Sequence, residues 1–129
     1  MKKNNGSFIW HRDTLYGQQF VVVLTKSYAK FREIIKKRLN IDMEEEKDCE
    51  PSGQFREFTC PENNMSLGVI WSSDQEGALL HECLHACAYV LQKRGIWMDS
   101  EGSEETWAYY LSYLWQTIRH KAKFPDYRF

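Results

Sequence analysis

The chain has 129 residues, the length of a single domain, and its 43% hydrophobic and 15% aromatic content can bury a core without covalent staples. A formal net charge of −1 removes the strongest compositional argument for a nucleic-acid partner. The longest uncharged run, Thr106 to Ile118, is 13 residues, where a bilayer span needs about 20, so no membrane span is expected.

Met1-Lys2-Lys3 is followed by Asn4-Asn5-Gly6-Ser7 and then His11-Arg12-Asp13, which interrupt any signal-peptide core. The reading is therefore a cytoplasmic protein whose four cysteines are reduced thiols. Cys83 and Cys87 lie four apart in a helical pattern, Cys49 and Cys60 flank a turn-rich segment, and no CxxC pair exists to suggest a thiolate zinc knuckle. Charge is unevenly spread. Residues 57–118 hold nine acids against Lys93 and Arg94, a net of −7, and the rest of the chain carries +6.

In chain order, Ser7 to His11 and Gln19 to Leu24 are short runs rich in β-branched and aromatic residues, hence strands, with Gly17 in the turn between them. Thr25 or Ser27 caps a helix to Leu39, with Tyr28, Phe31, Ile35 and Leu39 at helical spacing. Its opposite face carries Lys26, Lys30, Arg32, Lys36, Lys37 and Arg38 and reads as a solvated surface. Residues 40–53 form a loop with an acidic stretch from Asp42 to Glu50. Gln54 to Cys60 and Leu67 to Ser73 form a hairpin through Pro61-Glu62-Asn63-Asn64. Asp74 and its neighbours cap a helix over 75–94, which stops at Gly95, and a last helix runs from Ser100 or Ser103 to Lys121. The expectation is a small α+β domain over 1–129, with a short, mainly antiparallel sheet and three principal helices.

The residues that carry chemistry are His81-Glu82-Cys83-Leu84-His85, an H-E-x-x-H motif inside the 75–94 helix. Residues four apart on a helix lie about 40° apart on one face, so both imidazoles can reach one ion. Glu82 projects about 100° around from His81 and can poise a carboxylate beside a metal-bound water. Leu80, Cys83, Leu84, Cys87 and Leu91 form the stripe expected to pack this helix down. A third ligand is available from the start of the last helix. Helix phase puts Glu104 with Trp107, Leu111, Leu114 and Ile118, and Glu105 with Ala108, Tyr109 and Ser112. His120 lies among Arg119, Lys121 and Lys123, a poor setting for a ligand, and nothing argues for His11.

This motif resembles the zincin metallopeptidases, specifically the gluzincin arrangement of two histidines plus a downstream glutamate. Glu105-Thr106-Trp107-Ala108-Tyr109 is similar to the E-x-x-A-Y stretch of small phage-type and prophage-type HExxH proteins. The likeness covers Leu67 to Trp115, and the first 60 residues carry none. The resemblance implies a zincin-like fold with a Zn²⁺ site and a peptide or protein substrate, placed in the host cytoplasm if phage-encoded. It also implies an edge strand beside the metal helix, for which Leu67 to Ser73 is the sequence's choice, ready to pair with an extended substrate backbone. It prefers Glu105 as third ligand, and we take Glu105 first, Glu104 second and Glu101 a distant third.

The function expected is zinc-dependent peptide hydrolysis. His81, His85 and Glu105 hold the ion, Glu82 is general base, and Tyr109, one turn beyond Glu105, or Tyr110 donates to the oxyanion. The alternative is a catalytically silent zinc-binding protein that binds or regulates a host protein.

Overall fold

A computed structural model describes residues 7–44, 53–59, 65–73, 76–98 and 102–122. The chain runs through β1 (Ser7–Arg12), β2 (Gln19–Leu24), α1 (Tyr28–Leu39), β3 (Gly53–Thr59), β4 (Ser66–Ser72), α2 (Glu76–Gln92) and α3 (Ser103–Ala122). This is an α+β fold with three helices on one four-stranded sheet, in the order β1-β2-β4-β3. The acidic segment from residue 45, the tip at 60–64 and the cap at Asp74 lie outside the described residues.

Two of the three ladders are antiparallel. β1 pairs with β2 and β3 with β4, each as a hairpin, while β2 and β4 run parallel with Gln19 opposite Leu67 and Leu24 opposite Ser72. That parallel pairing corrects the expectation for Leu67 to Ser73. β4 has neighbours on both sides, and β3 is the edge strand. The sequence carries the reason. Phe20 to Leu24 and Val69 to Trp71 are unbroken apolar runs and are buried on both faces, the pattern of interior strands. β3 instead mixes Gln54, Arg56 and Glu57 with Phe55 and Phe58.

Helices cover both faces. α1 packs Tyr28, Phe31 and Ile35 against Val21, Val23, Val69 and Trp71, whose indole Nε1 donates to the Thr25 carbonyl at 2.9 Å. Ser27 caps α1 by accepting from the Lys30 amide at 2.9 Å, and Asn40 closes it in the left-handed conformation. α2 and α3 lie together on the other face over Phe20, Val22 and Ile70. α2 ends as expected at Gly95, whose φ of 75° suits glycine. The amides of Gly95 and Ile96 donate to the carbonyls of Gln92 and Leu91, a Schellman closure. No helix among the described residues is long and apolar enough to cross a membrane.

The rotation of α2 differs from the expected stripe. Cys83, Cys87 and Leu91 are buried, but Leu80 and Leu84 are exposed, and Leu79, Ala86 and Val90 take their place. α2 is apolar almost all round, so its pattern does not select an arc; contact with both the sheet and α3 does. α3 likewise buries Ser103, Trp107, Tyr110, Leu114 and Ile118 and leaves Glu104 and Glu105 exposed.

Candidate active site

The rotation of α2 decides what its motif presents. His81 and His85 lie one turn apart on the exposed side, with ring centroids 4.9 Å apart and inclined by 70°. Their Nε2 atoms face each other at 3.3 Å. Glu82 turns toward β3, on the buried side of the same cleft, and is only 5% exposed.

Glu82 rests against the first residue of β3. A Cβ built on Gly53 would lie 2.8 Å from Glu82 Oε2, 2.9 Å from its Cγ and 3.0 Å from the Trp71 carbonyl oxygen. Only glycine lets the edge strand pass this close. The second carboxylate oxygen, Oε1, is buried with no hydrogen-bond partner among the described residues. Burial pushes the Glu82 carboxyl above its ordinary range, and the neighbouring His85 and His81 pull it partly back.

These groups line one open cleft of about 580 Å³ between α2 and β3. β3 contributes Gly53, Gln54 and Phe55, and α2 contributes Ala88 and Tyr89 beside the two histidines and Glu82. Phe55 and Tyr89 stand 5.4 Å apart as an aromatic wall. Lys93 caps it, with its ammonium 4.7 Å from the Tyr89 ring centre and 3.0 Å from the hydroxyl.

The two imidazoles suit a zinc ion. Zinc–nitrogen bonds of about 2.0–2.1 Å at a tetrahedral angle separate the two nitrogens by about 3.3–3.4 Å, and the observed gap is 3.3 Å. The orphaned Glu82 oxygen beside them is the acceptor that a zinc-site water would need. Among the described residues, however, no group of three or more histidine, cysteine, aspartate or glutamate side chains comes together as a metal-binding set.

The structure thus brings together His81, Glu82 and His85, and does not bring Glu105 or Tyr109 to them. Glu105 and Glu104 are exposed on the first turn of α3, and neither lines the cleft. Glu101 lies outside the described residues. Tyr109 is 72% exposed to solvent. Tyr110 is buried and donates its hydroxyl to Asp13 Oδ2 at 2.7 Å, which together with burial holds its proton on. Asp13 also accepts from the amides of Leu15 and Tyr16, so this tyrosine braces the β1–β2 turn.

His11 is buried on β1 against Phe20 and Tyr113, with Nδ1 3.1 Å from the Lys121 ammonium. His120 is exposed. Cys83 and Cys87 are free and buried, their thiols pushed up to about 12 chiefly by burial, while Cys49 and Cys60 lie outside the described residues. Gly53, Gln54 and Phe55 of β3, and Tyr89 of α2, are site residues that sequence reasoning missed. The polar–aromatic alternation that marks β3 as an edge strand, with a glycine at its start, was the available signal.

No family model matches the chain, and neither does any curated protein or solved structure.

Proposed function

We propose that the cleft hydrolyses peptide bonds with the help of a zinc ion held by His81 and His85. The observation that carries this reading is one pair of imidazole nitrogens 3.3 Å apart beside a buried, half-unpaired carboxylate in one open cleft. When bound, zinc would polarise the scissile carbonyl and bring the pKa of water to about 7.

Glu82 does the proton work. Its unpaired Oε1 takes a proton from the attacking water and returns it to the leaving amine, and Gly53, having no Cβ, lets β3 close against the carboxylate. β3, paired among the described residues on one side only, by β4, offers a strand edge along the cleft for an extended peptide backbone. The Phe55–Tyr89 wall suits an apolar substrate side chain. Support for Glu105 as third ligand comes from the resemblance of residues 105–109 alone, and for Tyr109 as oxyanion donor from its place one turn beyond Glu105 on α3.

The test is cleavage of a peptide library by the zinc-loaded chain, read by mass spectrometry, beside Glu82→Gln. The variant keeps the shape but cannot accept a proton, so zinc should stay while hydrolysis falls at least about a hundredfold. If the zinc-loaded parent cleaves nothing, the cleft is a binding site and the silent-protein reading replaces this one.

A further inference from the structure

A second surface lies at the opposite edge of the sheet, on β1. Strand alternation puts Phe8, Trp10 and Arg12 on the face that α1 covers, with Ile9 and His11 on the other. α1 sits over the central strands and does not reach the outer part of β1, so Trp10 stays 51% exposed. Phe8 meets it edge-on at 5.7 Å and carries the Arg38 guanidinium 4.2 Å above its own ring centre. Beside them is a cavity of about 230 Å³, lined by Ser7 and Phe8 of β1 and by Lys30, Lys37 and Arg38 of α1. Glu33 is the one carboxylate in that lining, and it pairs with Lys30 at 3.5 Å.

We propose that this strip binds single-stranded nucleic acid, with a base stacked on the Trp10 indole and the backbone phosphates received by Lys30, Lys37 and Arg38. An exposed aromatic platform flanked by cations is the combination that single strands use, because every base offers a π-face and every linkage a charge. The chain's net charge of −1 does not oppose this, since the acids concentrate in 57–118 and the strip belongs to the part that carries +6. A duplex is disfavoured by shape, because the cations line a small recess rather than a broad convex face.

An acidic peptide is the competing occupant, and it would bind by adding a strand to the β1 edge. There Lys121 of α3 already donates its ammonium to the Trp10 carbonyl at 3.3 Å, a charged side chain placed where a new strand would pair. The surface is separate from the α2–β3 cleft and the proposal does not depend on hydrolysis.

The probe is a fluorescein-labelled oligothymidylate of about 12 nucleotides, followed by anisotropy with the full chain across a salt series. Binding should appear at low salt and weaken log-linearly as salt rises. Trp10→Ala should weaken it about fivefold or more, the loss expected for one stacked base. Lys37→Glu, at an exposed position that leaves the fold intact by circular dichroism, should weaken it at least tenfold. The duplex of the same length should bind less tightly than the single strand. No binding by the parent, binding unmoved by both variants, or displacement by polyglutamate of equal charge would each overturn the proposal, the last by showing polyanion adhesion only.

Discussion

Gly53 and Glu82 form the tightest pairing in the cleft, and it is open to a direct test. Gly53→Ala drives a methyl to within 3.0 Å of three atoms, one of them the backbone oxygen of Trp71. The expected cost is about 1–3 kcal/mol of stability, measured by chemical denaturation, together with loss of hydrolysis. Removing the colliding side chain as well, in the Gly53→Ala/Glu82→Ala double variant, should recover part of that stability, and simple additivity would show that the two residues do not act on each other. Glu105 calls for a different measurement, because its distance from the cleft is the issue. If it ligates, Glu105→Ala loses zinc to a mild chelator faster than the parent; equal retention would place the third donor elsewhere. His11 supplies the pH dependence. Burial first, and the Lys121 charge second, hold its pKa below the ordinary 6.5, with Asp13 opposing. Unfolding then takes up a proton, so this contribution to stability is full above about pH 6.5 and is lost as pH falls toward the lowered folded value. The melting temperature should therefore drop between about pH 7 and pH 5, and less steeply in His11→Phe. Equal slopes would remove His11 as the cause.

At the scale of elements, what the sequence allowed one to read divides by the kind of force involved. β1, β2, α1 and the two hairpins were legible because strand propensity, Ser27, Gly17 and the Tyr28–Phe31–Ile35 spacing all act locally. The end of α2 at Gly95 was legible for the same reason. Its rotation was not. Leu80 and Leu84 are as apolar as Leu79 and Leu91, so only the competition between the sheet and α3 for one face decides that the former two stay in water. The edge position of β3 was missed because a parallel pairing between β2 and β4 joins segments that no local signal relates. Within the site, His81, Glu82 and His85 were found from spacing alone, as helix geometry fixes their relation. Gly53 was not, since its role exists only once β3 lies beneath α2. The helical placement of the two histidines makes the metal testable without turnover. Zinc at a hundredfold excess over its Kd should add about 2.7 kcal/mol of stability, a rise of roughly 10 °C in melting temperature for a domain of this size. His81→Ala should abolish that rise, and a variant that kept it would move the ion to other residues.

Across the whole molecule the two proposed surfaces lie at opposite ends of one sheet, the cleft beside β3 and the basic strip on β1, separated by β2 and β4. Adjacent strands are about 4.8 Å apart, so roughly 14 Å of rigid sheet divides the two edges. The parallel ladder at the centre also governs how the chain comes together. Each hairpin closes through a short connection, but pairing Gln19 with Leu67 must bring together residues 48 apart along the chain. Loop-closure entropy makes such joining slow relative to hairpin closure, so the central ladder is the costly step of folding. Tyr110 on Asp13 then ties the last helix to the first turn across 97 residues. During synthesis, β1 and β2 emerge well before the strand that covers β2's second edge. Until β4 arrives, the unbroken run from Phe20 to Leu24 presents an unpaired apolar edge, and that interval is when the nascent chain is most exposed to pairing with a copy of itself.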